Sequence, residues 1–282
     1  MRYRSLCGEA FILQKLKASV LMYLNHTLVV LLMGFLFGCS KETEQADDQT
    51  IFEAVPQKVS LKVPVNEVSG IAASARVPNG LWAIEDSGNP ANLILLGTDG
   101  SHRASKPVPN SRNLDWEDLV RVGETLFIGD IGDNGKSRTS CTIYVLEEPN
   151  ASDGPTGAAT GIRFKYPDGP RDAEAFLVDP ASRDIFIVTK SDSLSRIYRL
   201  AFPYSEAEVN TLAFEGTLPF NGVTSAALSP DGREVVVKTY LNIYYNTRTG
   251  GEPLSKMLSK VANQISYQAE PQGEAMTFAH DN

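Results

Sequence analysis

The chain has 282 residues, of which 34 are acidic and 26 are Lys or Arg, so its net charge at neutral pH is −8. A surface with this balance repels polyanions, which argues against nucleic acid as a partner. The chain contains only three cysteines, and their positions do not predict a disulfide framework.

The N-terminal segment has the pattern of a signal sequence. Four basic residues lie within residues 1–17, and residues 28–37 are almost wholly apolar. A membrane-spanning helix needs about 20 apolar residues, and this run is about half as long. We therefore predict that residues 1–38 target the chain for export rather than span a membrane.

The end of this segment, Leu36-Phe37-Gly38-Cys39, resembles the lipobox of bacterial lipoproteins. The resemblance implies that the Cys39 thiol carries lipid and that the protein is anchored in the bacterial cell envelope, facing the periplasm or the exterior. Residues 39–50 are polar and read as a flexible tether. Residues 51–282 are long enough for one large domain.

A repeat of about 50 residues organises this domain. Five segments align without gaps: Glu67-Val-Ser-Gly-Ile-Ala, Asp115-Trp-Glu-Asp-Leu-Val, Asp172-Ala-Glu-Ala-Phe-Leu, Val223-Thr-Ser-Ala-Ala-Leu and Gln272-Gly-Glu-Ala-Met-Thr. Short strands separated by Gly, Pro and Asp turns follow each start. This pattern predicts an all-β fold, a β-propeller of about five four-stranded blades.

The last repeat stops after its first strand, so we expect the last blade to be incomplete. The segment Lys58-Val-Ser-Leu-Lys-Val63 is placed to supply an outer strand from the N-terminal side. Two strands between them are then missing, which suggests a truncated gene product, because unpaired strand edges invite aggregation.

Acidic residues recur at the start of the repeats. The gap-free alignment places Ser69, Glu117, Glu174, Ser225 and Glu274 at one position beside the central channel. Clustered carboxylates repel each other unless a proton or a cation neutralises them, and oxygen ligands suit calcium. The predicted metal-binding residues are Glu117, Asp118, Asp130, Asp133, Asp172, Glu174 and Glu274, with Asp86 and Lys238 facing the ligand. The alternative is that these acids cap turns.

Histidine-rich metal sites are disfavoured, because only His102 and His280 follow Cys39 and neither lies in the acidic loops. Metal-assisted ester or phosphoester hydrolysis remains open, with Arg171, Lys190 and Glu174 as the candidate catalytic residues. The alternative is that the two basic residues form salt bridges with the neighbouring carboxylates.

Several motifs resemble a family of uncharacterised secreted bacterial proteins predicted to be propellers: Asp115-Trp-Glu-Asp-Leu119, Gly129-Asp-Ile-Gly-Asp-Asn134, Tyr166-Pro-Asp-Gly169 with Asp172-Ala-Glu-Ala, and Pro271-Gln-Gly-Glu-Ala275. The resemblance implies a propeller but no particular activity. A looser similarity to calcium-dependent propeller phytases rests on Asp172-Ala-Glu174.

Three functions fit these observations. The first is a membrane-anchored lipoprotein that binds a divalent cation and presents its acidic face to a small-molecule ligand or an envelope protein. The second is a calcium-dependent phosphoester or ester hydrolase that uses the same face. The third is a scaffold for envelope assembly.

Overall fold

The computed structural model describes residues 57–260, 262–265, 267 and 273–279, together with the backbone of residues 2–7 and 10–14. The rest of the predicted signal segment, Cys39 and the tether lie outside the described residues. In the described part of the chain, no helix has the length and apolar character needed to cross a membrane.

The described chain forms strands and one short helix. In chain order the first strands are β1 (Arg2–Cys7), β2 (Ala10–Gln14), β3 (Gln57–Ser60), β4 (Val68–Ala73), β5 (Gly80–Glu85), β6 (Asn92–Gly97), β7 (His102–Pro107), β8 (Trp116–Val122), β9 (Thr125–Asp130), β10 (Cys141–Glu147) and β11 (Thr160–Lys165). They are followed by β12 (Ala173–Val178), β13 (Ile185–Thr189), β14 (Arg196–Leu200), β15 (Asn210–Thr211), β16 (Ala213–Thr217), β17 (Val223–Leu228), β18 (Glu234–Thr239), β19 (Ile243–Thr247), α1 (Leu254–Leu258), β20 (Asn263–Ile265) and β21 (Ala275–Phe278).

Four sheets each begin at a repeat start. Blade 1 has the order β4-β5-β6-β7, blade 2 β8-β9-β10-β11-β15, blade 3 β12-β13-β14-β16 and blade 4 β17-β18-β19-β20. All neighbours are antiparallel except β15, which adds a parallel fifth strand to blade 2. Residues 210–217 are therefore divided between two blades, with β15 in blade 2 and β16 in blade 3.

The inner strands form a closed circle. Each of β4, β8, β12 and β17 contacts the next, and β21 contacts both β17 and β4. This arrangement confirms the predicted all-β propeller. Because every inner strand begins at a repeat start, the aligned acidic residues lie at the same opening of the central channel.

The fifth sheet differs from the four blades. Its order is β21-β2-β1-β3, and β1 and β2 pair in parallel with β3 and β21, respectively. Residues 57–279 contribute only an outer and an inner strand to it, as predicted. The two middle positions are filled by β1 and β2, whose residues sequence analysis assigned to the signal segment.

Apolar side chains pack between neighbouring sheets. Trp82 and Trp116 are fully buried in the cluster that joins blades 1 and 2. The Trp82 indole N–H donates to Glu148 Oε1 (2.9 Å), and the Trp116 indole N–H donates to the Arg112 carbonyl (3.0 Å). Burial of each large side chain contributes on the order of 2–3 kcal/mol and fixes the blades that carry the acidic loops.

Candidate functional site

A β-bulge occurs at the start of each of the four inner strands that open a blade. The register shifts between Val68 and Gly70, Trp116 and Asp118, Ala173 and Ala175, and Val223 and Ser225. The extra residues are Ser69, Glu117, Glu174 and Thr224. A bulge leaves its extra residue out of the ladder and re-aims the side chain, so four blades direct one residue each from equivalent places.

The bulges correct the sequence alignment in blade 4. The gap-free alignment placed Ser225 at the position of Glu117 and Glu174, but the bulge residue is Thr224. The inner strand of blade 4, β17, begins at the first residue of its aligned segment, whereas β8 and β12 begin at the second residue of theirs. The run of small residues that follows gives little register information, because Ser and Ala fit either face of a strand.

Three carboxylates meet beside blades 1 and 2. One oxygen each of Asp86, Asp115 and Glu117 lies within 4.8 Å of the others. Asp86 follows β5, Asp115 directly precedes β8, and Glu117 is the bulge residue. We call these three residues the acidic triad. Sequence analysis predicted Glu117 as a metal ligand and Asp86 as ligand-facing, but it omitted Asp115.

Gly132 makes room for the triad. A Cβ atom placed on Gly132 would overlap Glu117 Oε1 and Asp115 Oδ2, at distances that real Cβ contacts do not show. The backbone of the loop after β9 therefore passes directly against two of the three carboxylates. This contact accounts for the second glycine of Gly129-Asp-Ile-Gly132.

The triad is short of positive charge. Burial raises the pKa of Glu117 well above its usual range, and the negative charges of Glu174, Asp86, Asp115 and Glu274 raise it further. Burial also raises the pKa of Asp115, against the opposing effects of Ser87 and Arg138. Carboxylates in this condition are stabilised by a proton or by a cation.

The opposite side of the mouth, beside blades 3 and 4, contains its own cation. Lys190 forms an ion pair with Glu174 Oε1 and lies 3.1 Å from the Tyr240 hydroxyl, which donates to Glu274 Oε1 at 2.7 Å. Burial raises the pKa of Glu174 to about 8 despite the Lys190 charge. Glu174 Oε2 is buried and has no hydrogen-bond partner among the described residues.

Asp118, a predicted metal ligand, serves to join blades. It is fully buried in β8, and it accepts the backbone N–H of Leu119 (2.9 Å) and that of Phe176 in blade 3 (3.2 Å). Burial raises its pKa well above the usual range, although these N–H groups oppose the shift.

The acids at the end of β9 and in the loop that follows it also have protein partners. Asp130 forms a 2.9 Å ion pair with Arg138 and accepts the Asp115 N–H at 3.0 Å. Asp133 accepts the N–H groups of Ser137 and Arg138, as the turn-capping alternative expects. These contacts fix the loop against the triad.

The remaining predicted residues lie nearer blades 3 and 4. Asp172 accepts from the Asp133 N–H at 3.2 Å and from the Ser191 hydroxyl. Arg171 forms ion pairs with Asp168 (2.8 Å) and Asp192 (3.0 Å).

Lys238 Nζ is fully buried and donates to the Gly273 carbonyl. The neighbouring sequence does not reveal which of these carboxylates acquire hydrogen-bonding or ion-pair partners in the fold.

No family model and no curated protein sequence matches the chain. Among solved structures, it is similar to an auxiliary nutrient binding protein from Bacteroides thetaiotaomicron, with 10% identity and a TM-score of 0.45, over 72% of this chain and 42% of that one.

It is also similar to hydrazine synthase from Kuenenia stuttgartiensis, with 12% identity and a TM-score of 0.40, over 73% and 51% of the two chains. A nidogen/laminin complex matches with 9% identity and a TM-score of 0.46, over 74% and 68%. The chain thus spans about half the length of the first two structures. At these values the similarities carry no functional argument, and the site itself must supply it.

Proposed function

We propose that the propeller binds a divalent cation, calcium by preference, at Asp86, Asp115 and Glu117, and presents it to a ligand or partner at the mouth of the central channel. The observation that carries this proposal is the convergence of three carboxylate oxygens within 4.8 Å. Carboxylate oxygens are the ligands that calcium prefers, and a doubly charged ion relieves their mutual repulsion.

The hydrolase alternative has less support. Its proposed basic residues, Arg171 and Lys190, are both engaged in ion pairs with carboxylates. A residue that must hold a phosphate would have to break these pairs first. We therefore favour binding over catalysis for this face.

Thermal unfolding with and without calcium tests the cation site. A ligand that binds only the folded state at 100 times its Kd adds about 2.7 kcal/mol, which corresponds to a Tm increase of roughly 5–10 °C for a domain of this size. Asp115→Asn combined with Glu117→Gln should abolish the increase. Asp99→Asn, which removes an exposed carboxylate far from the triad, should retain it. Equal Tm values with calcium and with chelator would contradict the proposal.

We further propose that lipid on Cys39 anchors the protein in the bacterial envelope. The support is the apolar run that ends at Leu36-Phe37-Gly38-Cys39. Cleavage before Cys39 would also remove β1 and β2, so the mature fifth sheet would retain only β3 and β21 from this chain. Metabolic labelling with an alkyne fatty acid should label the protein, and Cys39→Ser should eliminate the label. An unlabelled chain that retains residues 2–14 would contradict the anchor.

A further inference from the structure

An open surface cavity of about 550 Å³, most of whose lining residues are exposed, lies beside the acidic triad. It lies between the chain entering β4 and the loop after β5, and its lining comprises Val65, Asn66, Glu67, Ser87, Gly88 and Asn89. Small-molecule sites in proteins have volumes of about 300–1,000 Å³. The cavity is thus large enough for a ligand of one or two rings.

The cavity and the triad share a wall. Ser87 lines the cavity, and its backbone N–H donates to the side chain of Asp86, a member of the triad. The backbone N–H of Asp86 donates to the Glu67 carbonyl at 3.0 Å. A ligand in the cavity would therefore contact Ser87, the residue that directly follows Asp86 of the proposed cation site.

The wall that carries Glu67 is held in a defined conformation. Glu67 has a φ of 36°, in the left-handed region that residues other than glycine rarely adopt. Such a conformation costs about 1–3 kcal/mol and persists where surrounding contacts impose it. The contacts are the bond from Asp86 to the Glu67 carbonyl and the bond from the Asn66 N–H to Glu85 Oε1 (2.8 Å).

The lining chemistry indicates the ligand class. It contains two amides, a carboxylate and a hydroxyl, with Val65 as its one large apolar side chain. Pockets for apolar molecules are lined mainly by hydrophobic and aromatic side chains, which this cavity lacks. None of the lining residues that the structure describes is Lys or Arg, so an anionic ligand would face Glu67 without a counter-charge. A ligand that carries hydroxyl groups suits this lining, because hydroxyls can donate hydrogen bonds to the carboxylate and can both donate to and accept from the amides.

We propose that this cavity binds a neutral saccharide, two of whose hydroxyl oxygens complete the coordination of the cation at the triad. Calcium takes about six to eight oxygen ligands, and three carboxylates leave positions open. Asn66, Glu67 and Asn89 then hydrogen-bond the remaining hydroxyls, while Val65 contacts a C–H face of the ring. The inference rests on the proposed cation site, and it assigns that site a ligand class.

Saturation-transfer NMR on the full chain tests the proposal with a panel of neutral hexoses and N-acetylhexosamines. At least one sugar should show saturation transfer in calcium and none in chelator. Loss of one or two hydrogen bonds, each worth about 1 kcal/mol, should weaken binding about tenfold in Asn66→Ala and in Glu67→Gln. Lys62→Ala is the control, because Lys62 also lies between β3 and β4 but only forms an exposed ion pair with Asp99. This variant should bind the sugar as well as the parent protein does.

The outcomes separate the two proposals. If calcium raises the Tm but no sugar in the panel binds, the saccharide assignment is wrong and the cation site stands. If a sugar binds equally well in chelator, the cavity binds saccharide but the cation takes no part. If the Asn66 and Glu67 variants bind as well as the parent, the sugar site lies elsewhere and the assignment is overturned. If neither calcium nor sugar binds, both proposals fail.

Discussion

Glutamate occupies the bulge in both blade 2 and blade 3, but the two glutamates have different neighbours. Glu174 meets Lys190, which also contacts Tyr240, and Tyr240 in turn donates to Glu274. Glu117 meets Asp86 and Asp115, both of which add negative charge. The same repeat position therefore has a basic partner within the protein on one side of the mouth, and on the other side it faces further carboxylates and needs a proton or a cation.

This difference explains why one side alone is proposed as the cation site. A fixed Lys190 Nζ supplies on one side the charge that a dissociable ion would supply on the other. A buried charge without a partner is costly, so buried charges in proteins are usually neutralised by a group of opposite charge. We therefore expect each side to lose stability when its neutralising charge is removed, which is Lys190 on one side and the proposed cation on the other.

The largest effect is expected from Lys190→Met. Removing one member of a fully buried pair costs about 3–5 kcal/mol, because the remaining charge is left uncompensated. Since 20% of the Lys190 side chain is exposed and Glu174 can take up a proton, we expect a loss near the lower end of this range. Urea unfolding should show this loss, and Glu174→Gln in the same chain should restore most of it. Stability unchanged by Lys190→Met would show that Lys190 does not neutralise Glu174.

Gly132→Ala should act on the triad side. Its methyl group would overlap the Glu117 and Asp115 carboxylates, and overpacking of this kind costs about 1–3 kcal/mol. Calcium should also lose its effect on Tm, since the carboxylates must move apart. Gly135→Ala is the matched control in the same loop, because its methyl group would meet only Ser137 Oγ, at 3.6 Å. Identical calcium responses in the two variants would contradict this account of Gly132.

The last expected effect is in the pH dependence of the cation-free protein. The pKa of Glu117 is raised in the folded state, so the folded chain binds more protons than the unfolded chain above the unfolded value of 4.5. Stability should therefore fall as pH rises above that value, by at most about 1.4 kcal/mol per pH unit for one group. Glu117→Gln should flatten the slope measured in chelator between pH 5 and about pH 8. A slope that is unchanged in this variant would show that Glu117 is not the group responsible.

Much of the fold could be predicted from the sequence, because each blade repeats a pattern of short strands and turns. The starts of β8 and β12, the hairpins that follow them and the burial of Trp82 all follow from local pattern. Residues 2–14 could not be placed in this way. Their basic residues fit the start of a targeting segment, and the pairing of β1 with β3 and of β2 with β21 joins segments far apart in sequence.

The candidate site was predictable only in outline. The repeats brought Glu117 and Glu174 to equivalent positions, but they gave no sign that Lys190 pairs with one of them. Asp130 was likewise predicted as a metal ligand, but one of its oxygens pairs with Arg138, eight residues later. Whether a carboxylate is free for a metal depends on which basic side chains the fold brings to it, and sequence neighbours do not determine this.

A crystal structure of the protein soaked in calcium tests the central claim most directly. The account predicts one ion within about 2.3–2.6 Å of carboxylate oxygens from Asp86, Asp115 and Glu117, with the Lys190 and Glu174 pair intact. An ion bound at Glu174 and Glu274 instead, or a calcium-soaked triad without an ion, would contradict it.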